Sequence, residues 1–370
     1  MFRNAKAVIA AAALTLLPAA LPAHADPTIV QSAMGGSILG YDVDRGGTLG
    51  ILSEFVPHND GTNDVAVETF DLATGVIVKT IRKKTDTKDD YLVLGVVGAG
   101  AGLVETEYTR DIFVDKRTYN VIDPLNSRKF TGAWTPPTKK NDILLSASVS
   151  TGASTTAIMG FSNTSKSHTF VFASDVAGNT FGPKIKITDP LFDFNDSPVM
   201  AYDSVLNLAI LGASRGCNPE CTANLLSVDL MDGTQSKLGG VGHGFVNGIA
   251  ADEADGIVAT ATELDFSVEF FYLSTHHVNR VVLQGATSQT NSGTDVQFDP
   301  IHKLFFIGQP FSSTGPNSSI QVYDPNGNFV ESINNLHLPT SSSRIALDPA
   351  LRKGFVQSSQ DGSQLQVFTY

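Results

Sequence analysis

Five acidic or amide residues stand at or just before the start of an extended apolar run. They are Asp90, Asp142, Asp196, Asn247 and Asp295. Oxygens of such side chains are the ligands that calcium takes, usually about six to eight at a time. If the ends of these runs meet, the residues predict a polar binding site, with Asn247 and Asp295 as candidate ligands of a divalent cation such as calcium. Asp and Asn also initiate turns before strands, and both interpretations stay open.

His243 is the candidate catalytic residue. It lies in the glycine-rich segment Gly239-Gly-Val-Gly-His243-Gly-Phe, shortly before Asn247. An imidazole titrates near neutral pH, so a histidine on this segment could act as a base or as a metal ligand at the same site. A surface histidine without a chemical task is the alternative interpretation.

Cys217 and Cys221 are the only cysteines of the chain. Three residues separate them, whereas a thioredoxin-like redox motif has two. In an oxidising compartment, a pair this close favours a small disulfide-closed loop. We therefore predict a structural disulfide between Cys217 and Cys221.

The elements that would position these residues repeat along the chain. A hairpin pattern, made of an apolar run, a turn with Asp or Gly, and a second run, recurs about every fifty residues, the spacing of four-stranded propeller blades. Its turn residues are Asp71, Asp123, Asp175, Asp229, Ser274 and Asp324. In the clearest copy, Ser319–Ile333, Asp-Pro-Asn-Gly separates alternating apolar residues, as a β-hairpin requires.

A second pattern lies between successive copies of the first. An apolar strand ends in Asp, and a short turn leads to another apolar strand. The Asp residues of this pattern are Asp42, Asp203, Asp252, Asp299 and Asp348. Each blade would thus take its inner two strands from this pattern and its outer two from the hairpin pattern.

The two ends of the sequence complete the last repeat. Leu365–Tyr370 supplies a third strand, and Thr28–Ser32 is an extended segment without a neighbouring partner. Their pairing would close the ring and leave no long exposed edge. We predict an all-β, seven-bladed β-propeller of four-stranded antiparallel blades, closed by pairing of its N- and C-terminal strands. Because the repeats are weakest in residues 90–190, eight blades are the alternative.

The Asp-turn strand pairs resemble those of NHL, YVTN and gluconolactonase-like propellers over nearly the whole chain. Asn247-Gly-Ile-Ala-Ala-Asp252 is similar to the start of an inner strand in gluconolactonase-like enzymes, where the asparagine helps to hold a divalent cation. The resemblance implies such a role for Asn247 alone. The equivalent positions of other repeats are Ser37, Pro198, Thr294 and Ser343.

Residues 1–25 have the three parts of a secretory signal peptide. Arg3 and Lys6 precede the apolar stretch Ala7–Leu17, and Ala23-His-Ala25 forms a cleavage site. The stretch is shorter than the roughly 20 residues that span a bilayer. We expect a secreted or periplasmic protein, cleaved near Ala25 and not inserted in a membrane, with one propeller domain over residues 26–370.

Charge and composition disfavour some classes of binding partner for this domain. The net charge of −12 disfavours nucleic acid, since its phosphates attract clustered basic residues, and the basic run Arg82-Lys83-Lys84 is interpreted as a solvated hairpin tip. We expect a non-enzymatic binding or interaction scaffold whose funnel face takes a protein, a glycan or a small molecule. The alternative is a metal-dependent hydrolase of the lactonase or esterase type, in which a metal activates water.

Overall fold

The structure is a computed structural model. It describes residues 28–97, 101–110, 113–122, 132–134, 136, 142–149, 156–163, 168–176, 179–189, 199–214, 222–262, 265–286, 293–309, 318–338 and 344–370. The regular elements in these ranges are 29 β-strands, arranged in antiparallel sheets. Within the same ranges, no helix has the length and apolar character needed to cross a membrane.

Six sheets are each built from strands that follow one another in the chain, and we number them blades 1 to 6. Blade 1 contains β2 (Ser37–Val43), β3 (Leu49–Pro57), β4 (Asn63–Asp71) and β5 (Ile77–Thr87). Blade 2 contains β6 (Asp89–Val97), β7 (Ala101–Arg110), β8 (Phe113–Ile122) and β9 (Gly132–Trp134). Blade 3 contains β10 (Asp142–Val149), β11 (Thr156–Asn163), β12 (His168–Asp175), β13 (Thr180–Phe181) and β14 (Ile185–Lys186).

The next three blades follow the same meander. Blade 4 contains β15 (Val199–Asp203), β16 (Leu208–Ser214), β17 (Thr222–Asp229) and β18 (Gln235–His243). Blade 5 contains β19 (Val246–Asp252), β20 (Ile257–Thr262), β21 (Ser267–Tyr272) and β22 (His277–Val282). Blade 6 contains β23 (Asp295–Asp299), β24 (Leu304–Gln309), β25 (Ser318–Tyr323) and β26 (Phe329–Leu336).

The remaining sheet, the closing sheet, joins both ends of the described chain. Its strands from the channel outward are β27 (Ile345–Asp348), β28 (Lys353–Gln357), β29 (Gln364–Thr369) and β1 (Thr28–Gln31). β1 lies antiparallel to β29, with Thr28 opposite Val367 and Gln31 opposite Gln364. The predicted pairing of the terminal strands is therefore confirmed.

The predicted count of seven four-stranded blades is wrong, and the described residues form six blades. In the described residues, six blades consist of consecutive strands, and the sheet that completes the ring is a composite of both chain ends. Blade 3 also departs from four strands, because β13 and β14 both pair with β12. The eight-bladed alternative is wrong, since residues 90–190 contribute only blades 2 and 3 to the described structure.

The core lies between neighbouring sheets rather than in one central layer. Apolar clusters combine residues of adjacent sheets, and the innermost strands contact each other in a closed circle around a channel. Between blades 5 and 6, for example, the Phe270 and Phe305 ring centroids lie 5.5 Å apart, and Phe298 packs on Phe305 at 4.5 Å. Each sheet thus depends on its two neighbours for burial of its apolar faces.

The tight turns between the first two strands of a sheet depend on one Asp. In three sheets its Oδ1 accepts backbone N–H groups two and three residues later, at 2.7–3.3 Å, which fixes the turn. These residues are Asp203, Asp299 and Asp348. In blade 1 the equivalent residue is Asp44, whose N–H donates to Leu49 O at 3.1 Å. The sequence interpretation of Asp42 as this turn residue was wrong.

The basic run Arg82-Lys83-Lys84 lies inside β5, the outermost strand of blade 1, and not at a hairpin tip. Two of its three residues, Arg82 and Lys84, make local contacts. Arg82 Nε donates to Tyr91 Oη at 3.2 Å, and Lys84 forms an ion pair with Asp89. The run therefore does not form a free basic patch.

Two buried glutamates hold the segment that links β1 to β2. Glu54 accepts the N–H groups of Met34 and Gly36 at 3.0 and 3.2 Å, and Glu68 accepts that of Ala33 at 3.0 Å. Both side chains are fully buried. Burial raises the pKa of Glu68, and the neighbouring charge of Glu54 raises it further. The closing strand is thus anchored by its pairing with β29 and by these charge-assisted hydrogen bonds.

We predict that deletion of residues 26–34 lowers the free energy of unfolding by on the order of 5 kcal/mol, because it uncovers the β29 edge and removes one hydrogen-bond donor from each of two buried carboxylates. Val30 is fully buried, whereas Ile29 is 50% exposed. Val30→Ala should therefore cost roughly 2 kcal/mol, and Ile29→Ala less than about 1 kcal/mol. Denaturant unfolding measures all three. Equal effects of the two point variants, or a deletion without effect, would contradict the observed closure.

Candidate binding site in the central channel

The innermost strands present an unpaired edge to the channel, and two carboxylates satisfy N–H groups of that edge. Asp42 Oδ2 accepts Val96 N–H at 2.8 Å, and Asp295 Oδ2 accepts Ile345 N–H at 2.6 Å. In each case the carboxylate belongs to one inner strand and the N–H to the next strand of the ring. Carboxylates in the channel wall thus join neighbouring sheets, and their charge is part of the channel.

Asp295 and Arg344 occupy equivalent positions, each four residues before the turn Asp of its sheet. Glycine stands at this position in blades 1 and 5. A Cβ on Gly40 would approach Val93 O to 2.6 Å, and one on Gly248 would approach Val296 N to 2.5 Å. Neighbouring inner strands are therefore too close for a side chain at these two glycines. In blade 6 and the closing sheet the same position carries opposite charges.

Arg344 connects the closing sheet to blades 1 and 2. Its Nη1 donates to Leu94 O at 3.0 Å, and its Nη2 lies 3.3 Å from Asp42 Oδ2. The Tyr41 hydroxyl donates to the Arg344 carbonyl and accepts Gln357 N–H at 3.0 Å. Burial raises the pKa of Tyr41 well above its usual value. The guanidinium is thus held in a fixed place in the channel wall.

Asp295 is the titratable group of this site. Burial raises the pKa of its carboxyl group to about 7, although the Ile345 N–H and the charge of Arg344 both act to lower it. Gln297 Nε2 also donates to Asp295 Oδ2 at 3.3 Å. The carboxyl group therefore changes its protonation state near neutral pH.

These groups border a cavity of about 210 Å³ in the channel. Its polar lining comes from several sheets and consists of Arg45, Ser148, Tyr202, Asn247, Asp295, Gln297 and Arg344. Apolar lining residues include Val149, Val199 and Ala201. The cavity is large enough for a small solute with several waters, and it offers that solute both charged and amide groups.

Asn247 and Asp295, two of the predicted mouth residues, both line this cavity. The register between β19 and β20 shifts between Val246 and Gly248, so Asn247 is the extra residue of a β-bulge. Leu39 and Leu94 are the corresponding extra residues of β2 and β6. The Asn247 side chain donates from Nδ2 to Gly293 O at 3.2 Å, which joins blade 5 to the segment before β23.

Two of the other predicted mouth residues, Asp90 and Asp142, are described but are not among the cavity-lining residues. Asp90 accepts Asn63 Nδ2 at 3.1 Å, and the buried Asp142 pairs with Lys184 at 3.1 Å. Both therefore make local contacts within or beside their own blades. Asp196 and the cysteine pair Cys217 and Cys221 lie outside the described residues.

His243 ends β18 and is not part of the cavity lining. Its N–H donates to Asp265 Oδ2 at 2.7 Å, and its Nδ1 lies 3.3 Å from the same carboxylate. Asp265 also pairs with Arg280 at 2.6 Å. His243 thus joins blade 4 to blade 5, and its hydrogen-bond partner Asp265 is not among the cavity-lining residues either.

The cavity residues do not fit a divalent cation. Asp295 is close to the positive charge of Arg344, and its carboxyl group is largely protonated below neutral pH. Asn247 offers a single side-chain oxygen, whereas calcium takes about six to eight ligands. The described residues do place His58, Asp64 and Asp86 close enough to hold a metal, but none of these lines the cavity. The metal-dependent hydrolase alternative gains no support from this geometry.

Sequence analysis missed Arg344, Gln297 and Arg45 as lining residues. Arg344 directly precedes the strand that ends at Asp348, and an alignment of the repeats on their turn residues would have placed it level with Asp295. Analysis also passed over Gly212-Ala-Ser214-Arg-Gly216, which has the spacing of a hydrolase nucleophile elbow. Such an elbow joins a strand to a helix in an α/β fold, whereas Ser214 ends β16 of an antiparallel blade.

The raised pKa of Asp295 predicts a pH dependence of stability. A carboxyl group with a higher pKa in the folded state stabilises fully below its unfolded pKa of about 4, and this contribution is lost as pH rises through about 7. Asp295→Asn should therefore reduce the loss of unfolding free energy between pH 5 and pH 8 by on the order of 2 kcal/mol. Urea unfolding at both pH values measures this.

Asp232→Asn, in an exposed turn, is the matched control and should leave the pH 5 to pH 8 difference unchanged, because the pKa of Asp232 is lowered. Burial raises the pKa of Glu269 to about 7. This residue should therefore maintain part of the pH dependence of stability in both variants. If Asp295→Asn leaves the difference in unfolding free energy between pH 5 and pH 8 unchanged, this result would contradict the assignment of Asp295 as a group that titrates near neutral pH.

Comparison with known proteins identifies the fold. No model of a protein family matches the sequence, and no curated protein matches it. The β-propeller domain of Myceliophteria thermophila Cps50 (Swd1) superposes with a TM-score of 0.58 at 11% identity, over 93% of this chain and 99% of that domain. U3-55K superposes with a TM-score of 0.60 at 10% identity, over 93% of this chain and 98% of that one.

Chaetomium thermophilum Raptor gives a TM-score of 0.63 at 9% identity, over 94% of this chain but only 29% of the Raptor chain. At these identities the similarity concerns the fold alone. The neighbours are WD40-type propellers, so the resemblance to NHL, YVTN and gluconolactonase-like propellers stays a prediction. The chain has a β-propeller fold.

Proposed function

We propose that this chain is an exported binding scaffold that holds a small polar ligand in its central channel. The observation that carries the proposal is the convergence of side chains from separate sheets on one cavity. Arg45 follows β2 of blade 1, Asn247 belongs to blade 5, Asp295 and Gln297 to blade 6, and Arg344 precedes β27. Residues so distant in the sequence share a cavity only because the ring is closed.

The wall around this cavity supports binding because it is preorganised. Arg344 is fixed by Leu94 O and Asp42, and Asp295 is fixed by Ile345 and Gln297. Side chains held by such contacts lose little conformational entropy when a ligand arrives. A ligand would therefore meet groups that already have their bound positions.

The N-terminal sequence supports the exported part of the proposal. Residues 1–25 carry the charged, apolar and small-residue parts of a signal peptide in the expected order. Kinship with the NHL, YVTN and gluconolactonase-like propellers is proposed on the repeated Asp turns and on Asn247-Gly248. A binding function does not depend on that kinship, because a propeller fold by itself fixes no function.

We predict that Ser148→Phe abolishes ligand binding, because the added ring would occupy the cavity that Ser148 lines. Ser236→Phe, on the exposed surface of β18, is the matched control and should bind as the natural protein does. Ligand-observed NMR with a panel of small acids, amides, amines and sugars measures binding to all three proteins. Fragments that bind Ser148→Phe and the natural protein equally, or no fragment that binds at all, would refute the channel as the site.

We also predict that the full-length chain, expressed in a bacterium with an intact secretion pathway, is recovered outside the cytoplasm with Asp26 as its first residue. The physical basis is the small-residue site Ala23-His-Ala25, which signal peptidases accept. Intact-mass spectrometry of fractionated cells measures the cleavage. Ala25→Arg is the matched variant and should block processing. Unprocessed protein in the cytoplasm would refute export.

A further inference from the structure

We infer that His58, Asp64 and Asp86 form a binding site for one divalent transition-metal ion of the zinc type. These residues lie at one end of blade 1, where the turn between β3 and β4 meets the end of the outermost strand β5. None of them lines the channel cavity. The chemistry of the ligand atoms, the distances between them and the charge around them all support a metal ion at this position.

Two segments of blade 1 bring the three side chains together. His58 begins the turn after β3, where its N–H donates to Thr62 O at 2.8 Å, and Asp64 is the second residue of β4. Asp86 is the last residue but one of β5. Its N–H donates to Asp64 Oδ1 at 3.0 Å, which ties the backbone of β5 to a side chain of β4. The ligand atoms are therefore positioned by two paired strands and the turn beside them.

A β-bulge at the end of the β4–β5 ladder accompanies this approach. Between ladder positions 63 and 65, β4 contributes Asp64 alone, whereas β5 contributes both Thr85 and Asp86 opposite it. An extra residue of this kind bends the strand and redirects its side chains. The bulge thus places Asp86 next to Asp64, where a regular ladder would have a single partner.

The distances between the ligand atoms fit a small metal ion. His58 Nε2 lies 2.9 Å from Asp64 Oδ1 and 4.0 Å from Asp86 Oδ1, and one ligand atom of each residue lies within 4.8 Å of the other two. In a tetrahedral zinc site, whose bonds are about 2.0–2.1 Å long, two ligand atoms lie roughly 3.3 Å apart. The observed distances lie on both sides of this value, so small side-chain movements would complete the site.

The imidazole of His58 distinguishes this group from a cluster of carboxylates. Calcium and magnesium take oxygen ligands, whereas zinc binds histidine nitrogen and carboxylate oxygen in the same site. One nitrogen and two oxygens therefore favour a transition-metal ion. Three protein ligands leave the fourth position of a zinc ion to water or to another small ligand. The side chain of Asp86 is 81% exposed, so this position is accessible from solvent.

Basic side chains do not neutralise the carboxylates of this site. In the part of the chain that the structure describes, Asp64 and Asp86 form ion pairs with His58 and with no lysine or arginine. Lys83 attracts Asp64 without forming an ion pair. Asp60 adds a third carboxylate nearby, although it is engaged in the turn. A divalent cation would reduce this local excess of negative charge, in a protein whose net charge is −12.

The test is isothermal titration calorimetry of the untagged mature protein with zinc chloride and, separately, with calcium chloride. Both titrations are made at pH 7.5, because the hydrogen bond with Asp64 raises the pKa of His58 and protons compete with the metal at lower pH. We expect one zinc ion per chain, and calcium binding that is weaker by about tenfold or more. Absence of zinc binding, or calcium that binds as tightly as zinc, would overturn the inference.

Variants assign the ion to these residues. His58→Ala and Asp64→Ala should each weaken zinc binding by more than about tenfold, because removal of even an outer-shell partner of a metal ligand commonly costs that much. Asp86→Asn, which keeps an oxygen ligand without its charge, should have a smaller effect. The double variant His276→Ala/His277→Ala is the matched control, since it removes two exposed histidines at a turn of blade 5, and it should bind zinc as the natural protein does. Loss of zinc binding in this control would assign the ion to blade 5 instead.

Nuclear magnetic resonance of the histidine ring nitrogens gives a measurement on the natural protein itself. Zinc should shift the Nε2 resonance of His58 before those of the other histidines. This readout decides even if a variant does not fold. Zinc that shifts other histidine resonances and leaves that of His58 unchanged would overturn the assignment.

The metal site and the proposed channel function can fail separately. Ser148→Phe, which fills the channel cavity, should bind zinc as the natural protein does, and His58→Ala should keep any ligand of the channel. Zinc binding that Ser148→Phe abolishes would place the ion in the channel and overturn the site in blade 1. Absence of any channel ligand would leave the zinc result unaffected.

Discussion

Four residues at the start of the described chain, Thr28–Gln31, hold the ring together by pairing with β29. No covalent link closes this circle of sheets, and each sheet buries its apolar faces only against its neighbours. Loss of β1 would therefore uncover the β29 edge and also remove Val30 from the apolar cluster that joins the closing sheet to blade 1. The buried pair Glu54 and Glu68 strengthens the closure, since it satisfies backbone N–H groups of the segment that follows β1.

Closure of the ring also creates the channel, and it leaves backbone N–H groups in the channel wall that need hydrogen-bond acceptors. Among the described strands, each innermost strand pairs with another strand along one edge only, and the N–H groups of its other edge need acceptors. Asp42 and Asp295 each accept a hydrogen bond from an N–H group of the neighbouring inner strand. A carboxylate that is enclosed in this way loses hydration, which raises the pKa of Asp295 to about 7. The hydrogen bond between Asp295 and Ile345 joins two sheets, and it thus also holds a titratable carboxyl group beside the cavity.

The sequence predicted the repeated hairpins and the terminal closure because turns and strands are local patterns, and Asp-Gly turns repeat with little variation. It failed at Asp42, where Asp44 stands two residues later and makes the turn. It also failed to group Asp295 with Arg344, since their proximity depends on the register between sheets rather than on either segment alone. Asp90 and Asp142, which the sequence grouped with Asn247 and Asp295, instead contact Asn63 and Lys184.

The stability balance of the site supports a functional origin for its charges. An inner-strand position that accepts glycine in blades 1 and 5 carries Asp295 in blade 6 and Arg344 in the closing sheet, although a buried carboxyl group with a raised pKa destabilises the fold above neutral pH. A neutral amide at position 295 could still accept the Ile345 N–H without that loss. An ionisable group at a position where a neutral one would serve the fold is the pattern expected when the charge serves a ligand.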